Sequence, residues 1–252
     1  MRNEPLTGYL IHHKPYQESR ALYYFFTQTH GVVHGIGKKG MPLFAHIQLF
    51  ANGKRSLKTF TQIQPLAPQV AITGQNLYAG FYLNELLWKL LANEDAMPIL
   101  WQNYQQSLTA LRETLNNTQL RVLLRFFEQA LFAELGYVIT LDTDSQGEPI
   151  KQEQTYRFIA DEGFVSYVAS QKEEPTVFAV SSIFCGKWLQ QINDYLQNYY
   201  HQFNTQKNYH KQAIETDTLK AWSRLHKLMI DYLLDYQPLQ SRVLWQQQAR
   251  YR

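Results

Sequence analysis

The hydrophobic period of the chain changes at Pro65 and Pro68, and that change constrains the fold more than any other feature of the sequence. Before it, apolar residues come in short β-prone runs cut by Gly, Pro or Asn-Gly: "GYLIHHKPY", "ALYYFFTQTHG", "VVHGIGKKG", "FAHIQLFANG" and "SLKTFTQIQ". After it, apolar residues recur every three or four positions, the spacing of a helix face.

Five short strands within residues 1–75 suit a small closed barrel, and the oligonucleotide-binding (OB) barrel is the candidate of that size. Asn52-Gly53 predicts a hairpin turn, since both residues tolerate the positive φ such a turn needs. Next, "NLYAGFYLNELLWKLLANED" is apolar nearly all round and predicts a buried helix. Met97, Leu100, Trp101, Tyr104, Leu108, Leu111 and Leu115 mark a second helix. Leu120, Leu124, Phe127, Leu131 and Leu135 mark a third, with Gly136 as its C-cap. "TYRFIADEGFVSYVAS" predicts a hairpin around Asp161–Gly163, after the polar "DTDSQGEPIKQEQ". Two further stripes follow, one from Ile183 to Phe203 and one from Leu219 to Tyr236, the second stopped by Pro238. The expected fold class is α+β: an OB barrel over 1–75, then a helical domain over 76–252 with a hairpin-bearing insertion near 141–170.

Hydrophobic residues make up 45% of the 252 and charged residues 18%, enough apolar material for a sizeable core. A single cysteine, Cys185, excludes an internal disulfide and a Cys-cluster zinc site. No stretch approaches the ~20 apolar residues that span a bilayer, and no leader is recognisable, so the expectation is a cytoplasmic protein. The charge is uneven. Residues 1–75 carry eight Lys and Arg against Glu4 and Glu18, a net +6, and the remainder carries −3. A basic barrel suits a polyanionic partner; a solvated surface without a partner accounts for the same charges.

Gly35 to Gly40 spell G-x-G-x-x-G. A dinucleotide fingerprint opens a helix and has an acid ~20 residues on. Here Met41-Pro42 and a strand-like run follow, and no Asp or Glu occurs between Glu18 and Glu85. A P-loop fails as well, since Val32 stands where its first Gly belongs. No cofactor is expected, and "HGIGKKG" is either a flexible barrel loop or a basic loop that meets phosphates. In the second case Lys38, Lys39, Lys54, Arg55 and Lys58 are the candidate contacts. His30 and His34 flank a turn and His12-His13 stand alone, so no metal site is expected. No Ser/His/Asp set or carboxylate pair suggests catalysis. Arg121 and Arg125 lie one helical turn apart beside the apolar stripe. They are either a surface pair, with Arg125 bridging to Glu128 or Gln129, or an anion receptor beside an apolar pocket.

Several segments together resemble the bacterial recombination mediator family RecO. "GYLIHHKPYQESRALYYFFTQTHG" resembles its opening, and "LYAGFYLNELLWKLL" its signature helix, with Tyr82, Asn84 and Glu85 in the "YxNEL" core. "LLRFFEQALFAELGY" resembles the "LRxFE…LLxxLGY" helix; "TYRFIADEGFV" and "QPLQSRVLW" match in the same order. The resemblance implies a non-enzymatic, nucleoid-associated DNA-repair protein with an OB barrel and a helical domain. Such a protein binds single- and double-stranded DNA, anneals complementary strands, and works with RecR and single-stranded DNA-binding protein (SSB) to load RecA. It also implies that the helical domain receives the acidic SSB tail. On this chain that assigns the terminal carboxylate to Arg125, steering to Arg121, and the apolar slot to Leu124, Phe127 and Leu131. Two features depart from the family. "KKG" runs almost directly into "MPLF", where a longer basic loop is usual, and the Cys cluster that binds zinc in some relatives is missing. The short loop favours an alternative, an OB-fold protein–protein adaptor with weakened or lost DNA binding.

Overall fold

The computed structural model describes residues 1–68, 70–168, 181–202 and 213–250, with backbone alone for 199–202 and 248–250. Phe203, the "QKEEP" loop and the end of the expected insertion at 169–170 lie outside the described residues. The chain forms two compact units, Met1–Leu115 with Pro238–Arg252, and Asn116–Gln237.

The first unit is built on five strands: β1 (Glu4–Pro15), β2 (Arg20–Thr27), β3 (Gly31–Lys38), β4 (Ile47–Asn52) and β5 (Lys58–Pro65). They close in the order β1-β2-β3-β5-β4, the barrel expected from the sequence. The closing β3–β5 contact is parallel, pairing Gly35 with Lys58 and Ile36 with Thr59. Alternation fills the interior: Leu6, Leu10, Tyr23, Phe25, Val33, Leu49 and Phe60 all belong to one buried cluster. The β4–β5 turn differs from expectation. Asn52 stays in β4, and only Gly53 takes positive φ (141°), so the connection runs over Gly53–Leu57. Asn52 is held in the strand by the amide of Asn3, which donates to its Oδ1 at 2.6 Å.

Helices α1 (Gly74–Leu90) and α2 (Pro98–Ala110) belong to the same unit as the barrel. The switch from strand to helix falls after Pro65 as read from the period, but the compact units divide later, at Leu115. The reason is visible on β2. Its outward Phe26 is buried against Trp101 and Tyr104 of α2, with ring centroids 5.4 and 5.8 Å away. Asn84 of α1, 3% exposed, donates to the Leu10 carbonyl at 3.3 Å and accepts from the Tyr104 hydroxyl at 2.6 Å.

The second unit starts with α3 (Asn117–Glu134), entered through a reciprocal capping box between Asn116 and Gln119. Gly136 follows at φ 81°, as its C-cap role requires. The hairpin β6 (Thr155–Ile159) and β7 (Gly163–Ser166) forms where expected. A third strand, β8 (Ile183–Cys185), pairs with β6. The sequence reading began a helix at Ile183; instead that residue lies in the sheet and α4 (Gly186–Gln202) begins at Gly186. Helix α5 (Thr216–Leu233) ends in two left-handed residues, Asp235 and Tyr236, before Pro238. A last helix, α6 (Gln240–Arg250), which the apolar period did not announce, returns to the first unit.

Candidate nucleic-acid interface

The G-x-G-x-x-G spacing is explained by the barrel interior. A Cβ on Gly35 would sit 2.8 Å from the Phe60 ring and 3.0 Å from the Lys58 carbonyl; one on Gly37 would meet Ile63 at 3.1 Å. Both glycines let β3 approach β5 where the barrel closes. Gly40 is different: at φ 104° it turns the chain and faces open space.

The five candidate phosphate contacts are not one cluster. Because β3 and β5 run parallel from the Gly35–Lys58 pair, Lys38 lies beyond that pair and the Lys54–Arg55 loop lies before it. The two groups therefore sit toward opposite ends of the barrel. Lys38, Lys54 and Arg55 are exposed. Lys39 is exposed too, though its ammonium donates to the Glu18 carbonyl at 2.8 Å. Lys58 differs from the others: its side chain is 4% exposed, and its ammonium donates to Glu94 at 2.7 Å and to the Arg55 carbonyl at 2.6 Å. Its ammonium already has partners inside the unit.

Two cations that sequence spacing did not single out complete the Lys38 end. Arg20 pairs with Lys38 across β2–β3, and Lys14 pairs with Leu22 across β1–β2, two residues further along β2. Lys14, Arg20, Lys38 and Lys39 thus share one barrel end, all exposed, with Glu18 the acid of the intervening β1–β2 turn. They are distant in sequence, and only the strand register brings them together.

Aromatic rings continue from this end. A bulge between Leu10 and His12 shifts the β1 register, so His12 pairs with Tyr24, which pairs with His34. His12 stacks on Trp88 of α1, with centroids 3.6 Å apart and planes 12° from parallel. The Lys14 ammonium lies 5.3 Å from the Trp88 ring centroid. Burial is the main reason that His12 is lowered to about 4, and the charges of Lys14 and His13 add to it, against the opposing pull of Glu85.

In the second unit, Arg125 is 8% exposed and donates to Glu128, which is fully buried. Of the two readings of this residue, the bridge to Glu128 is the one present. Glu128 also accepts from Nδ1 of His226 at 2.8 Å, while Nε2 of His226 accepts from the Trp222 indole at 2.8 Å. An indole can only donate, so His226 is the neutral tautomer protonated at Nδ1. Burial holds His226 below its ordinary value, and the Glu128 contact opposes that shift. Phe127 and Leu131, assigned to an apolar slot, are 0% exposed, while Leu124 and Arg121 reach the surface in part. Arg121 donates to the Ser223 hydroxyl at 3.0 Å.

Among the described residues, no helix is long and apolar enough to cross a membrane, and no group of three His, Cys, Asp or Glu is placed to hold a metal.

Comparison with known proteins gives one consistent result. The family described as "Recombination protein O C terminal" matches residues 73–242. The chain is similar to the DNA repair protein RecO of Stutzerimonas stutzeri, 38% identical over 170 residues, covering 65% of this chain and 71% of the relative. It is 30% identical over 250 residues to the RecO of Actinobacillus pleuropneumoniae serotype 5b, covering 95% of this chain and 93% of that one. Against the RecO of Vibrio parahaemolyticus the identity is 29% over 255 residues, with 97% and 93% covered.

Proposed function

The chain belongs to the RecO family of DNA repair proteins, and we propose that it acts as a recombination mediator that works by binding rather than turnover. It holds DNA at the Lys14, Arg20, Lys38 and Lys39 end of the barrel, anneals complementary single strands, and joins RecR and SSB in loading RecA in the nucleoid. The observation that carries this reading is the convergence of four exposed cations on one barrel end, three from β1, β2 and β3 and Lys39 just past β3. Annealing fits such an end, because lysine and arginine screen the repulsion between two phosphate backbones without reading their sequence.

The SSB tail is assigned to the second unit, where Arg121 and half-exposed Leu124 meet it. Arg125 lies beside them, with its guanidinium paired to Glu128.

Anisotropy of a labelled single strand at several salt concentrations tests the DNA reading. Four phosphate contacts give a log–log slope of about −3. Arg20→Ala with Lys38→Ala should weaken binding to every sequence and flatten the slope by about 1.4. Binding that is absent, or indifferent to salt, would favour the adaptor reading.

A further inference from the structure

His13 lines two clefts. One, of about 220 Å³, is lined by His13, Pro15, Tyr23, Lys39 and Met41. The other, of about 310 Å³, takes mainly apolar lining from Leu43, Phe81 and Leu244, with the rings of His12, His13 and Trp88. His13 lines both, so the two clefts neighbour one another, one with Lys39 in its lining and the other with Trp88. Cations border both parts: Lys39 the first, and Lys14, over the Trp88 ring, the second. Glu85 is the acid of the larger cleft, and its oxygens are taken by Gln240, Ser241 and Lys89.

We infer that the larger cleft receives an unpaired base of a single DNA strand, stacked against the Trp88–His12 pair, while the phosphates on either side of that base meet Lys14 and Lys39. This deepens the DNA-binding reading and rests on it. The chemistry selects the occupant. An apolar lining with preformed rings suits a flat aromatic group, and the bordering cations require that the group be attached to a polyanion. A base in duplex offers only its edge, so this cleft separates single strands from duplex. His12 is neutral at physiological pH, which makes it a flat ring for stacking rather than a further charge. The β1 bulge supports the same arrangement, because it places His12 on the Trp88 side. The volume lies at the small end of the range for sites that enclose small aromatic ligands, ~300–1,000 Å³.

The test compares a fluorescein-labelled oligo(dT), an abasic strand of the same length and a duplex of the same length, on the full chain. For the wild type, oligo(dT) should bind roughly ten-fold or more tighter than the abasic strand, since base–aromatic stacking contributes ~1–3 kcal/mol per base. Trp88→Ala should lose that difference and leave duplex affinity within about two-fold of wild type. Trp88→Phe, which keeps a ring, should retain part of it and guards against a folding defect in the alanine variant. Equal wild-type affinity for oligo(dT) and the abasic strand would overturn the inference while leaving the DNA-binding reading intact. So would a Trp88→Ala protein with full preference for oligo(dT). No binding of any strand by the wild type would remove the reading beneath it as well.

Discussion

Glu85 closes the N-terminus of α6 from a position 156 residues earlier in the chain. Its Oε2 accepts from the Ser241 amide at 2.8 Å and the Ser241 hydroxyl at 2.6 Å, and its Oε1 accepts from the Gln240 amide at 2.9 Å. The first amides of a helix have no partner inside it, and a carboxylate there also meets the positive end of the helix dipole. Two motifs that the sequence presents as separate, "YxNEL" and "QPLQSRVLW", are therefore one structural device. Glu85→Ala should cost about 1–3 kcal/mol in urea unfolding, and exchange at the Gln240 and Ser241 amides should accelerate first. Burial alone would raise the Glu85 carboxyl. The bonds from Ser241 and Gln240, with Lys89, outweigh it and hold the group below its ordinary 4.5. Its contribution is complete above that value and is lost as pH falls through the lower folded one.

Lys58 separates stability from DNA contact. Lys58→Ala removes a buried ammonium bonded to Glu94 and to the Arg55 carbonyl. The expected result is a loss of about 1–3 kcal/mol of stability with an unchanged salt slope for DNA binding. A flattened slope would return Lys58 to the interface.

The Arg125 network predicts that alanine there damages the fold. Without the guanidinium, Glu128 remains fully buried with His226 among its partners, and breaking a buried pair costs about 3–5 kcal/mol. Arg121→Ala should cost under about 1 kcal/mol. Arg121 is thus the cleaner probe of the tail: its removal should slow association of an acidic peptide that ends in a hydrophobic residue with a free carboxylate, and leave DNA affinity alone. A peptide that associates with Arg121→Ala at the wild-type rate would refute the assignment.

His12 gives a spectroscopic readout. Its imidazole should titrate in NMR with a midpoint of about 4 rather than 6.5. Trp88→Ala should raise that midpoint, because burial is the largest cause of the shift. Since the folded value is the lower one, protons favour the unfolded chain. The stability due to neutral His12 is complete above the ordinary value and declines as pH falls toward the folded one.

The barrel was legible because alternation and period survive in one dimension: Ala21, Tyr23 and Phe25 point inward at every second residue. The stop at Gly136 was legible for the same local reason. What the sequence could not display were relations set by register. Lys14, Arg20 and Lys38 meet only once three antiparallel strands are aligned, and Lys58 reads as a surface lysine until Glu94 is placed against it. The third hairpin-sheet strand, Ile183–Cys185, is three residues long and too short for any periodicity. In α3 the stripe holds at Leu120, Phe127 and Leu131 and misses at one position. Leu123 is buried and Leu124 half-exposed, because apolar residues cover most of the helix and several faces satisfy the same spacing.

The order of synthesis gives the interleaved units a further consequence. Residues 116–237 are an excursion between the two parts of the barrel unit, so the part that leaves the ribosome first is the part completed last. Until Pro238–Arg252 emerges, Glu85 has no helix to cap, and Leu43 and Phe81 lack Leu244 across the cleft. The second unit has all its residues by then and can fold first. Until then the apolar lining of that cleft is incomplete, and exposed apolar surface on an unfinished fold favours aggregation. Completion of the barrel unit therefore waits for α6.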